Sequence, residues 1–422
     1  MIEEDSELRD LAALVVARVG RLEETGSPWE PYRLVDPAGA VVQPAARFLA
    51  ELQALGRSEA TQRSYGNDLL RWFRFLWAIG IPWDQATRAE ARDYSRWLQV
   101  GGKPESIRPC RDAGEVAAGK AVPAPSPVPN RVTGKTPPGP MYAPATAAHG
   151  ESVLRAFYDL HLETGQGPMV NPFPLVRERG RSRAGAHRSP MDGPRRQRTG
   201  LYRPKRVRRP PRCIPDEQFN ELFAGLGSHR DRALAAFWVS TGARASELLG
   251  ASCGDLDAGS QLITVIRKGT RVMQPLPASP DAFVWLRLYQ AEFHGLVPEG
   301  RDDPLWWTLR RPFRQLNYHA ARAMFNRAGA LLGANWSLHD LRHTAAYRMA
   351  RDEGVPLTDV QWILGHAQLT TTQIYTSAPV EETIASVLAH HARRSAAPSL
   401  PAGAAPEYRA ESMDVLFPGE PR

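Results

Sequence analysis

Apolar positions recur at helical spacing in two blocks of this 422-residue chain. In the first block Phe48, Leu49 and Leu52 mark one helix. Tyr65, Leu69, Trp72, Phe73 and Leu76 mark a second, and Ala91, Tyr94, Trp97 and Leu98 a third, with Gly80 and Pro82 between these two. A fourth helix is predicted from about 145 to 164, with Val153, Leu154, Phe157, Tyr158 and His161 on its inner face. An amphipathic stretch at about 5–22 predicts one further helix ahead of them. The second block opens at Pro215-Asp216-Glu217, a favourable helix start, and runs to Leu226. Asp231 to Ser240 follows as a helix burying Leu234, Phe237 and Trp238, and Thr241-Gly242-Ala243 breaks it. Leu262–Ile266 and Val272–Leu276 alternate as two strands, with Lys268-Gly269-Thr270 at their turn. Helices at about 279–293 and 315–332 lead to a last helical stretch.

That stretch, Ser337 to Thr376, carries the chemistry. His339 and Arg342 lie at i, i+3 and so share a helix face, beside an apolar stripe of Leu341, Ala345, Ala346 and Met349. Thr358 and Gln361 have capping-box spacing for the next short helix, and Gly365 would end it. His366 follows at the turn, then Tyr375 nine residues on. A guanidinium, imidazoles and a phenol brought together suit phosphodiester chemistry: charge stabilisation, proton transfer and a nucleophile.

Composition places limits on the rest. Such a length accommodates two domains, and no apolar run approaches the ~18–20 residues of a membrane span. Cys110, Cys213 and Cys253 are odd in number and widely spaced, which suggests neither a disulfide framework nor a cysteine zinc site and fits a reducing cytoplasm. The formal net charge is +8, yet fourteen Lys and Arg between Arg177 and Arg212 face only Glu178 and Asp192. That basic bridge between near-neutral halves predicts contact with a polyanion, most simply DNA phosphate, through Arg195, Arg196, Arg198, Arg203, Lys205, Arg206, Arg208, Arg209 and Arg212. The alternative is a solvated linker in an arginine-rich sequence. Only five lysines occur, and one is Lys268 at the hairpin turn, where a side chain able to lose its proton can serve as an acid.

The sequence HDLRH, then LGH and a downstream tyrosine, resembles the C-terminal signature of the tyrosine recombinases, the phage integrase family. Two upstream motifs of that family have counterparts: TGARASELLG supplies Arg244, and VIRKGTRVMQPLP supplies Lys268. The resemblance implies a mainly α fold with a small antiparallel β-sheet (α+β) in the catalytic domain. It also implies a two-domain DNA clamp without metal or other cofactor. Its domains would be an N-terminal extension (1–40), a helical core-binding domain (41–174) with an irregular Pro/Gly-rich insertion at 101–145, a basic linker (175–212), the catalytic domain (213–395) and a flexible tail (396–422). Tyr375 would be the nucleophile, Arg244 and Arg342 would neutralise the phosphorus centre, and His366 would donate to a non-bridging oxygen. Lys268 would protonate the leaving oxygen, His339 would take the phenol proton, and Glu247 would support the geometry. The implied partners are double-stranded DNA bearing a specific site, further copies of the chain in a tetramer, and an accessory DNA-bending factor. The implied location is the bacterial cytoplasm, with the nucleoid. The 381–391 helix, with Ile384, Val387 and Leu388 on one face, is a candidate for docking on a neighbouring subunit.

Three other readings stand beside this one. His339, His343 and His366 could form a zinc site, although HDLRH has aspartate where a zinc hydrolase motif carries glutamate, and Arg342 would aim a positive charge at the ion. His343 is otherwise structural. The same residues would also serve a type IB-like topoisomerase, and the fold could bind DNA without chemistry.

Overall fold

The computed structural model describes residues 9–100, 128–137, 139, 141–176, 199–204, 212–375 and 387–389. They form two compact units: Met1–Pro129 with Thr136–Arg208, and Asn130–Lys135 with Arg209–Arg422.

Residues 9–20 hold a turn and irregular chain where the amphipathic pattern predicted a helix at about 5–22, and an antiparallel hairpin follows, β1 (Arg21–Ser27) and β2 (Glu30–Val35). Gly20, at φ +64°, turns the chain out of any helical path. Tyr32 and Leu34 then alternate inward onto the helices. Four helices follow: α1 (Gln43–Ala54), α2 (Glu59–Ile79), α3 (Arg88–Val100) and α4 (Pro144–Glu163). Ser58 caps α2 by accepting from the Thr61 amide, and Gly80 ends it in the left-handed region. The buried rings of Trp72, Phe73, Tyr94 and Phe157 are core, as their spacing suggested. The Trp72 indole donates to the Tyr158 hydroxyl at 2.9 Å, which donates to the Trp83 carbonyl at 3.0 Å.

The second unit contains α5 (Asp216–Ala224), α6 (His229–Thr241) and the short α7 (Ala245–Leu249). An antiparallel sheet in the order β3 (Leu256–Asp257), β4 (Leu262–Ile266), β5 (Met273–Pro277) follows. Strand β3 is two residues long, too short to show alternation in the sequence. Then come α8 (Pro280–Phe293), α9 (Tyr318–Leu331), α10 (Leu338–Arg351), α11 (Leu357–Leu364) and α12 (Leu369–Thr372), with a 3-10 turn at Gln373–Tyr375. Phe237, Trp238, Tyr289, Trp306 and Phe325 centre its core.

Two local expectations are corrected. Helix α11 has Pro356 at its N-cap, so Thr358 lies inside the helix and the Thr358–Gln361 capping box does not form. The Gln361 amide instead donates to the His366 carbonyl at 3.0 Å. Residues 130–135 of the Pro/Gly-rich insertion, expected within the 41–174 domain, are an ordered turn within the second unit. The helix expected at 381–391 lies outside the described residues apart from the helical 387–389. No described helix is long and apolar enough to cross a membrane.

Candidate active site

Glu247 is the point on which the site is assembled. One turn into α7, its buried carboxylate accepts from the Arg244 amide at 3.0 Å and the Arg244 guanidinium at 2.7 Å. It also accepts from the Lys268 amide at 2.9 Å and from the Arg267 guanidinium at 3.0 Å. Burial works to raise this carboxyl, but the amides of Lys268 and Arg244 and the Arg244 guanidinium overcome it and hold Glu247 below its ordinary value. A single charge thus joins the start of α7 to the β4–β5 turn. Lys268 is thereby fixed through its backbone while its side chain stays exposed.

Arg267, which the sequence reading passed over, extends this junction. Its buried guanidinium donates to the Gln274 amide oxygen Oε1 at 2.6 Å and to the Ile363 carbonyl in the last turn of α11. A Cβ on Gly365 would come within 3.3 Å of Arg267 Nε, and Gly365 itself sits at φ +60°, so glycine is required there twice over. Nothing in the local sequence distinguishes Arg267 from the many surface arginines; its role depends on which segments meet.

Arg342, 4% exposed, donates to two backbone carbonyls, Gly242 at 2.6 Å and Leu364 at 2.5 Å. Gly242 caps the C-terminus of α6, and Leu364 is the last residue of α11. Two negative helix ends therefore compensate the guanidinium in part, each carrying roughly half a charge. Burial, with Arg244 adding to it, pushes Arg342 down to about 10. It stays cationic at neutral pH and keeps its attraction for an anion.

Arg342 NH2 also lies 3.2 Å from His366 Nε2. A guanidinium only donates, so Nε2 is the acceptor, and Nδ1 carries the proton toward Thr372 Oγ1 at 2.9 Å. Burial and then Arg342 push His366 down to about 4, so the ring is neutral. The Tyr375 ring stacks on it, with centroids 6.3 Å apart and planes 12° from parallel.

Tyr375 packs with Ala346, Val360 and Leu364 and is 4% exposed. Burial raises its phenol above the ordinary value, so it is protonated at neutral pH. Its hydroxyl lies 2.8 Å from His343 Nδ1. Burial, then His339, push His343 down to about 4, which leaves it a neutral acceptor. His339, expected beside the phenol, instead meets His343 edge to face at 4.3 Å between centroids. His343 therefore contacts the phenol, where the sequence reading made it structural. The helical spacing of HDLRH allowed either histidine to face Tyr375, and only the fold distinguishes them. The histidines do not converge on a common point: Nε2 of His366 faces a guanidinium where a zinc ion would have to sit.

Of the basic bridge, Arg203 and Arg212 are described; Arg195, Arg196, Arg198, Lys205, Arg206, Arg208 and Arg209 lie outside the described residues. Arg203 follows a bridge between Leu175 and Gly200 in the first unit, and Arg212 donates to the Gly134 carbonyl at 2.8 Å in the second.

Residues 213–382 match the phage integrase family, and residues 45–108 match the N-terminal SAM-like domain of phage integrase. Tyrosine recombinase XerD of Neisseria meningitidis serogroup B is 31% identical over 204 residues, which cover 46% of this chain and 68% of that protein. The chain belongs to the tyrosine recombinase family. It is a site-specific DNA recombinase. Tyrosine recombinase XerC of Serratia marcescens is 33% identical to it over 195 residues, 45% of this chain and 60% of that protein. The recombinase also shares its fold with a Tn1549 transposon integrase solved in complex with transposon right end DNA. That likeness has a TM-score of 0.53 and 14% identity, over 83% of this chain and 98% of that one.

Proposed function

We propose that this recombinase cuts and rejoins duplex DNA through a 3′-phosphotyrosine formed by Tyr375. The observation that carries the reading is the junction just described, in which guanidinium, lysine, imidazole and phenol groups from five chain segments surround Glu247 and Arg342. The phenol oxygen attacks the scissile phosphorus, the bond to the 5′-oxygen breaks, and Lys268 gives that oxygen its proton. Arg244 and Arg342 meet the extra negative charge on the five-coordinate phosphorus. His343 accepts the phenol proton at the contact it already makes, with the exposed His339 beside it as the route to solvent. The negative phosphodiester raises both imidazoles toward the range in which they accept a proton. His366, released from Arg342 by the incoming phosphate, takes up a proton at Nε2 beside that anion and donates it in a hydrogen bond to a non-bridging oxygen. One phosphoester bond replaces another, so neither ATP nor a divalent ion is needed, and attack by a partner strand's 5′-hydroxyl reverses the step.

The same reading makes double-stranded DNA with a specific site the substrate and a tetramer the working assembly. The basic residues from Arg195 to Arg212 would contact phosphates. Strand exchange at the ends of a mobile element, in the bacterial cytoplasm, is the setting proposed, with an accessory DNA-bending factor as a further partner. The test is covalent capture on a substrate nicked near the cleavage position. Wild-type protein is trapped on the DNA, and Tyr375→Phe binds it but is not trapped. Equal trapping of Tyr375→Phe would assign the nucleophile elsewhere.

A further inference from the structure

Six residues of the insertion, Asn130–Lys135, fold with the second unit. Their turn holds its own shape: Asn130 Oδ1 accepts from the amides of Val132 at 3.0 Å and Thr133 at 2.8 Å. The Gly134 amide donates to the Asn130 carbonyl at 2.7 Å, with Gly134 at φ +58°. The turn is seated on the loop before α10. Asn130 Nδ2 donates to the Gly333 carbonyl at 2.8 Å, and buried Thr133 hydrogen-bonds Asn335. Lys135 closes the contact. Its ammonium donates to the Asn335 carbonyl at 3.2 Å, lies 5.5 Å from the Trp336 ring centroid, and pairs with Asp340.

The oxygen of Asp340 that Lys135 reaches also caps α10, accepting from the Ser337 amide at 2.6 Å and the Ser337 hydroxyl at 2.7 Å. This buried carboxylate adjoins His339 in sequence and lies one turn before Thr344 on the helix that carries Arg342 and His343. Without its cation, it would draw protons onto both neighbouring imidazoles.

We propose that the 130–135 turn is a clip on the catalytic helix, and that Lys135 is a positioning residue which fixes the first turn of α10 and cancels the charge of Asp340 beside His339 and His343. The charged groups facing His339 are Arg342 and Asp340 from its own helix, Arg244 from the start of α7, and Lys135 from the clip. Those facing His343 are His339, Asp340 and Arg342 from its own helix, the Tyr375 phenol at 2.8 Å, and Lys135 from the clip. Asp340 alone raises either ring, and Lys135 opposes it. The catalytic consequence rests on the proton-transfer role given above to the two histidines.

The test uses full-length protein with Lys135→Met, Lys135→Arg, and Lys135→Met combined with Asp340→Asn. Titration of 13C-labelled histidines without DNA, with the His339 signal assigned by its loss in His339→Gln, reads the clip directly. Lys135→Met is expected to raise the His339 pKa by about half a unit to one unit. Lys135→Arg and the double variant are expected to restore it. An unmoved His339 pKa in Lys135→Met, with the protein folded by thermal melting, overturns the clip. Single-turnover trapping then tests the consequence: Lys135→Met should lose about twofold to tenfold near pH 6 and recover toward wild type near pH 8.5. A shifted His339 titration with an unshifted trapping profile would uphold the electrostatic clip and remove the histidines from proton transfer.

Discussion

Nδ1 of His343 lies 2.8 Å from the phenol oxygen of Tyr375, whereas His339 contacts His343 ring to ring. The proposed nucleophile is therefore held by the second histidine of HDLRH, and the first stands behind it.

His343→Ala should lower the rate of covalent capture by about 10²-fold, the scale of a lost proton acceptor, with DNA affinity within about twofold of wild type. Stopped-time trapping beside a binding titration measures both. Wild-type trapping by His343→Ala would return the proton to His339.

His343 and His366 are both pushed down to about 4, from an ordinary imidazole value of about 6.5. Between these values the unfolded chain binds protons that the folded chain does not. Stability is therefore full above about 6.5, falls as pH drops through that window, and levels off below about 4. Urea denaturation of the DNA-free protein from pH 7.5 to 4.5 should show this slope. Replacing both histidines by glutamine should flatten it.

Glu247→Gln leaves Arg244 and Arg267 without their carboxylate. Removing one member of such a buried cluster costs about 3–5 kcal/mol. The expected result is a lower urea midpoint together with slow cleavage, because the same substitution frees the Lys268 turn. A variant as stable as wild type would show that the junction is not held by this charge.

Lys268→Ala should cleave poorly, since a 5′-alkoxide leaves slowly unless protonated. A substrate with sulfur at the bridging 5′ position needs no acid and should restore cleavage to Lys268→Ala but not to Arg342→Ala. Cleavage by wild type should survive EDTA. Loss with chelator would return the three histidines to consideration as a zinc site.

The sequence carried the helices of both units, the hairpin and Gly365 as a helix end, because each is written in local periodicity or in a residue's own backbone preference. Arg244, Glu247, Lys268, Arg342, His366 and Tyr375 were legible because their motifs are short and ordered along the chain. What escaped depends on long-range meetings. Arg267 gains its role from Ile363, Gln274 and Glu247, and Lys135 from Asp340, 205 residues away. The hairpin at 21–35 was missed for a related reason: Tyr32 and Leu34 have an inner face only once α1 and α2 are packed.

Arg342 is seated by atoms that every residue possesses, the carbonyl oxygens of Gly242 and Leu364. Grafting the reactive side chains onto another scaffold would therefore not reproduce the pocket. What has to be transplanted is a crossing point where two helices stop, each closed by a glycine at positive φ. Conversely, a distant relation could change its side chains around those two carbonyls and keep the seat intact. A search for such kin would do better to look for a buried arginine between two helix ends than for matching letters at those positions.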